Sequence, residues 1–200
     1  MPGHSYYILH KPYGMVSRFT DEDGHPGIGS LHFSFPKDVY PVGRLDHNSE
    51  GLLILTNDRR IHTYLLDPDH HHPRTYQVQV EGIPTKDDLL PMIRGMEINI
   101  NGKMHATIPV EAKIIPEPML PSRIPPIRFR KTVPDSWLEL ILTEGKNHQI
   151  RKMTAKIGFP TLRLIRVAIG NLKLCNLNPG QVMEISQNTL YSKIDFSFNR

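Results

Sequence analysis

Cysteine is almost missing from this chain. The single thiol, Cys175, cannot close an internal disulfide and gives no support for a Cys-rich zinc site. Long apolar runs are missing too: no window approaches the roughly 18 residues of a membrane span. The opening residues, Met-Pro-Gly-His-Ser-Tyr-Tyr, lack the charged and apolar regions of a secretory signal. Nowhere is there a Gly-rich phosphate loop, a dinucleotide fingerprint or a Cys/His zinc pattern. These absences lead to the expectation of a soluble, cytoplasmic protein with no membrane span.

What is present is 200 residues, which suits one domain, with two lobes allowed. A chain of this size buries about 70% of its unfolded surface and needs no covalent staples. The formal net charge is only +4, but it is unevenly spread. Residues 120–175 carry 11 Lys and Arg against 3 Asp and Glu, and the remainder is net negative. A basic block of this kind is the footprint of a polyanion partner, although a solvated face has the same composition.

Strand patterns outnumber helical ones. Residues 5–10 are rich in β-formers, and 51–56 form a fully apolar run bounded by turn residues, as in a buried strand. Residues 75–81 alternate strictly, with Tyr76, Val78 and Val80 on one side and Gln77, Gln79 and Glu81 on the other. Asn57 or Asp58 can cap a short helix carrying Ile61, Leu65 and Leu66 on one face. Thr85 and Gly95 bracket a second helix. Residues 96–100 and 106–115 read as strands around an Asn101-Gly102 turn. Residues 116–134, with six prolines and four basic residues, form a long irregular connection. Further expected elements are a strand at 137–142, an amphipathic helix at 148–157, and strands at 161–169 and 182–186. The pattern is that of an α+β fold rather than a doubly wound one.

Three segments look like chemistry. In Val42–Asn57, Arg44 and Asp46 stand two apart just before the apolar strand, so an extended chain places them on one side, within pairing reach. A carboxylate beside an arginine keeps the charge that a nucleophile or base requires, although the same spacing suits a plain surface ion pair. In Thr143–Thr154, Gly145 makes a turn and Asn147 or its neighbour opens a helix with an anion-favouring N-terminus. Lys146, His148, Arg151 and Lys152 add positive charge there, or simply form a basic face. Tyr76 is either core or a base-stacking platform. The run His70, His71 and His72 suggests a metal site at first, but consecutive residues cannot all share a face, so loop histidines are the better reading.

Together these segments resemble the signature set of the RsuA family of ribosomal RNA pseudouridine synthases. Lys11-Pro12-Tyr13-Gly14 is similar to the opening K-P-x-G of that family. GRLDHNSEGLLILTND, beginning at Gly43, is similar to its central motif. RTYQVQVEG from Arg74 resembles its tyrosine strand, and EGKNHQIRKM followed by TLRLIRVAIGNL resembles its closing pair. The resemblance runs from about Lys11 to Val182. Two features depart from the common pattern. The resemblance begins close to the first residues, so the N-terminal alpha-L-type RNA-binding domain of many members is expected to be missing, a leaner layout similar to the large-subunit synthase E type. Arg59-Arg60 also stands after Thr-Asn-Asp, where the family commonly has glycine.

The resemblance implies a pseudouridine-synthase fold over residues 1–200. Its features would be a mixed, mainly antiparallel sheet, a few flanking helices, and two lobes around a central cleft. It implies isomerisation of a uridine in ribosomal RNA, large-subunit RNA favoured, by a monomer that needs neither cofactor nor metal, with which the missing phosphate-loop, dinucleotide and zinc patterns agree. Asp46 would be the essential aspartate and Arg151 its arginine partner. Tyr76 would stack on the base, Leu164 would line the pocket, and Arg44 would fill the gap left by a flipped nucleotide. Arg128, Arg130, Lys131, Lys146 and Lys152 would hold the RNA backbone. Two other readings compete: a non-catalytic RNA-binding factor in ribosome assembly on the same scaffold, and a metal-dependent hydrolase built on the histidine run.

Overall fold

A computed structural model describes residues 3–127 and 133–197. The chain divides into two compact units, residues 1–72 with 166–200, and residues 73–165. Strands dominate and helices are short, as an α+β class requires.

The first unit is built on β1 (Tyr6–Lys11), β2 (Tyr40–Pro41) and β3 (Glu50–Thr56). β1 and β3 pair antiparallel with Leu9 opposite Leu53 and Lys11 opposite Gly51, and β2 pairs with the far end of β3. Every residue of β1 and β3 is buried, which explains why 51–56 reads as a continuous apolar run rather than an alternating one. One side of this sheet covers a core of Tyr7, Leu9, Met15, Ile28, Val39, Leu53 and Leu55. Asp58 caps α1 (Arg59–Leu66) by accepting from the Arg60 amide, as its position predicts.

The second unit contains β4 (Arg74–Glu81), α2 (Leu90–Arg94), β5 (Glu97–Ile100), β6 (Lys103–Ala106), β7 (Glu111–Ile115), β8 (Asp135–Leu142) and α3 (Gln149–Lys156). β8 lies between β4 and β7, antiparallel to both, while β5 and β6 form a separate hairpin. The core gathers Val78, Val80, Leu138, Leu140, Leu142, Ile150, Met153 and Leu164.

The boundary between the units falls inside β9 (Thr161–Ile169). The first unit is completed by β10 (Leu172–Lys173), by β11 (Val182–Glu184) on the free edge of β1, and by α4 (Gln187–Lys193).

Two expectations are corrected. The helix expected at 85–95 does have its cap, since Asp88 Oδ2 accepts from both the Thr85 amide (2.7 Å) and its hydroxyl (2.7 Å). Its first turn is nevertheless a 3-10 turn, and α-helix begins only at Leu90, because Pro91 has no N–H to offer an earlier carbonyl. The strand expected at 106–115 is present only at 111–115, as β7, while β6 runs over 103–106 and ends where that strand was expected to begin. Pro109 interrupts the ladder, and the Ile108 amide donates to Glu144 Oε1 (2.8 Å), so β7 starts afresh against another partner. α4, capped by Ser186, lies in a stretch for which the sequence suggests no element.

Candidate active site

In the first unit, the segment between β2 and β3 carries Asp46 and is held at several points. The Val42 amide donates to Ile54 O (2.7 Å), the Gly14 amide to His47 O (2.7 Å), and the Ser49 amide to Asp46 O (2.9 Å). The Ser17 hydroxyl accepts from the Leu45 amide (2.9 Å) and donates to Leu45 O (2.8 Å), clamping the residue just before Asp46. The rings of His25 and His47 stack at 4.1 Å. Asp46 is half-buried and Arg44 is exposed. No hydrogen bond or ion pair joins Arg44 to Asp46 among the described residues, against the expectation from spacing. Residues 44–46 lie outside any strand, between a bend at 42–43 and a turn at 47–48, so strand alternation does not govern the two side chains.

Beneath this loop lies a charged group that sequence reasoning missed. Lys11, Glu50 and Arg166 are all buried, and Lys11 is 0% exposed. Lys11 Nζ donates to Met15 O (2.6 Å) and Pro12 O (3.1 Å). Burial pushes the Lys11 ammonium down to about 7, against the opposing pull of the Glu50 and Asp46 carboxylates and with the help of the Arg166 charge. Arg166 Nε donates to Leu52 O (2.8 Å). Its backbone runs so close to Gly51, at φ +107°, that any side chain there would collide with the Arg166 carbonyl. The sequence signal was slight, since Lys11 and Glu50 stand just outside the runs 5–10 and 51–56 that read as strands.

In the second unit, Tyr76 is half-buried on β4, opposite Leu140, and packs against the core cluster that contains Leu164. α3 contributes Ile150 and Met153 to that cluster and carries Arg151, whose Nη1 donates to Thr161 O (3.3 Å). Tyr76 and α3 therefore pack on the same core cluster to which Leu164 belongs. The spacing E-G-K-x-x-Q has a structural reason. Glu144 Oε1 accepts from Gln149 Nε2 (2.6 Å) and Glu144 Oε2 meets His105 Nε2 (3.0 Å), while Gln149 Oε1 accepts from the Lys146 amide (3.0 Å). The turn before α3 is thus closed by its own side chains, with His148 left-handed at the cap. Lys146 is exposed and Lys152 half-buried. Arg128, Arg130 and Lys131 lie outside the described residues.

The histidine run is structural. His70 Nδ1 (3.1 Å) and His72 Nε2 (2.9 Å) both meet Tyr64 O, and both rings pack on the Tyr64 ring. Among the described residues, no group of three or more His, Cys, Asp or Glu is arranged to hold a metal. None of the described helices is long and apolar enough to cross a membrane.

Residues 5–156 match the family model described as RNA pseudouridylate synthase. The chain is 50% identical over 173 residues to ribosomal large subunit pseudouridine synthase E of Xanthomonas axonopodis pv. citri, covering 86% of this chain and 89% of that one. It is 46% identical over 179 residues to the protein of the same name from Vibrio vulnificus, covering 90% and 74%. Among solved structures it is similar to a crystal structure of a pseudouridylate synthase, at TM-score 0.77 and 25% identity, covering 97% of this chain and 75% of that one.

Proposed function

Since the chain belongs to the RNA pseudouridylate synthase family, we propose that it isomerises one uridine of large-subunit ribosomal RNA, with Asp46 as its essential carboxylate. The observation that carries this reading is the clamped loop. Ser17, Gly14 and Ser49 hold the backbone on both sides of a half-buried aspartate, and a positioned carboxylate is what the reaction needs.

The reaction breaks the N1–C1′ bond, turns the detached uracil and joins C5 to C1′. N1 gains a proton, C5 loses one, and the product has the atoms of the substrate. No external oxidant, reductant or group donor enters that balance, in keeping with the reading of a cofactor-free enzyme. Asp46 attacks C1′ or otherwise initiates cleavage. Tyr76 stacks on the base, and its phenol serves the removal of the C5 proton. Arg151 supplies the guanidinium that the carboxylate calls for, Leu164 the apolar wall, and Arg44 the side chain that fills the gap behind an extruded nucleotide. Lys146 and Lys152, with Arg128, Arg130 and Lys131, contact phosphates.

The test is Asp46→Asn on unmodified large-subunit ribosomal RNA. Pseudouridine formation, read by tritium release from C5-labelled uridine, should fall by at least about three orders of magnitude. RNA affinity and thermal stability should stay close to those of the parent. Turnover surviving in this variant would remove Asp46 from the mechanism. Turnover lacking in the parent itself would favour a binding factor on the same scaffold.

A further inference from the structure

The first unit holds a groove of about 1090 Å³, and Asp46 is not among the residues that line it. Its walls come from the loop after β1, from the segment leading into β2 and from the start of α1. Two observations set it apart from an ordinary surface depression.

The first is an exposed aromatic face. Tyr40 is 58% exposed although it is fixed in β2 opposite Thr56, and Phe19 meets it edge to face at 6.5 Å and 86°. Phe19 in turn packs on Phe35, which backs the platform with the core of the unit. The ring is thus held in place yet open to solvent, which is the arrangement of a stacking surface. The second observation is charge. Arg18, Lys37 and Arg59 line the groove, against Asp38 as its one carboxylate. Asp38 is engaged by the Asn57 amide (2.8 Å), and Arg18 by Glu22. The side chains of Lys37 and Arg59 make no hydrogen bond or ion pair with any described residue. Arg59 is also the residue that replaces the glycine usual after Thr-Asn-Asp.

We propose that this groove binds a single-stranded segment of the RNA substrate flanking the modified uridine, with a base stacked on Tyr40 and phosphates on Lys37 and Arg59. The inference rests on the RNA-modifying reading above and extends it to a second contact. A small-molecule ligand suits the groove less well. The groove is open to solvent rather than enclosing, and the cations on its walls match a phosphate backbone. The groove is also linked to the catalytic loop, because Ser17 lines it and clamps Leu45 on both sides, next to Asp46. An RNA strand seated there is therefore held in register with the loop that carries the carboxylate.

The experiment begins by showing that the parent protein forms pseudouridine in unmodified large-subunit ribosomal RNA, which tests the underlying reading alone. Tyr40→Ala, Tyr40→Trp and Lys37→Glu/Arg59→Glu are then compared for the RNA concentration giving half-maximal single-turnover rate. Tyr40→Ala should raise it about fivefold or more, the lower end of the loss of one stacked base, and Tyr40→Trp should restore it. The charge-reversal pair should raise it at least about tenfold and flatten its dependence on log salt by more than one unit. Lys86→Glu/Lys103→Glu, two exposed lysines of the other unit, serves as the charge-matched control. Ultraviolet cross-linking should place RNA on the peptide containing Tyr40. If an active parent gives variants with unchanged half-saturation, or no cross-link at Tyr40, the groove is not an RNA site although the enzyme still is one. Failure of Tyr40→Trp to rescue would make Tyr40 structural and equally overturn the proposal.

Discussion

At the residue scale, the clearest result is a lysine where the sequence pattern suggests only the end of a strand. Lys11 spends its charge on two backbone carbonyls, under the loop that carries Asp46. Its folded pKa, about 7, lies below the roughly 10.4 of a free lysine. Between those values the unfolded chain binds more protons than the folded one, so this group makes stability rise with pH through that window. The slope can reach about 1.4 kcal/mol per pH unit. Chemical denaturation of the parent and of Lys11→Met at pH 7 and pH 9.5 should show the parent gaining relative to the variant. Equal changes in the two proteins would mean that Lys11 titrates normally. Asp46, Tyr76 and Arg151 could be singled out by motif resemblance; Glu50 and Arg166 stand inside the same motifs, but that they are buried charges depends on pairing between strands distant in sequence.

At the scale of elements, legibility followed the simplicity of the environment. β4 has one clean apolar face, so its alternation is plain, and β3 is buried throughout, so its apolar run is too. Prolines defeated the reading of 85–95 and 106–115, where periodicity continues through a residue that cannot donate. α4 was illegible because its anchoring is tertiary. The Tyr191 hydroxyl donates to Asp58 Oδ2 (2.6 Å), which also receives the Tyr6 hydroxyl (2.9 Å) and one arm of a two-bond contact from Arg60. Burial by itself would raise the Asp58 carboxyl, but the donors of Arg60, Tyr191 and Tyr6 hold it well below the usual carboxylate range. Asp58→Asn should therefore cost about 1–3 kcal/mol at neutral pH and speed amide exchange in α4 and the first turn of α1. A folded pKa below the unfolded one gives stability that is present above about pH 4 and lost as pH falls further, so the gap between parent and variant should narrow in acid. A gap that stays constant from pH 7 to pH 3 would show that Asp58 is not ionised in that cluster.

At the scale of the molecule, charge is divided between the units. Residues 73–165 carry 14 Lys and Arg against 9 Asp and Glu, whereas the other unit has 10 against 11. The basic block seen in the sequence therefore belongs mostly to the second unit, and the groove with Tyr40 is a local concentration of cations on a nearly neutral one. Affinity for ribosomal RNA should fall linearly on a log–log plot against salt, by about 0.7–0.9 for each phosphate neutralised. A slope near zero would argue against phosphate contacts on either unit. The first unit also draws on both ends of the chain, since β11 lies on the outer edge of β1 and α4 meets Asp58. Its earliest strand must wait, on the translating machinery, for more than a hundred later residues before it gains that neighbour. The contiguous second unit has its whole core available sooner, so during synthesis the carboxylate-bearing half is the last to become native.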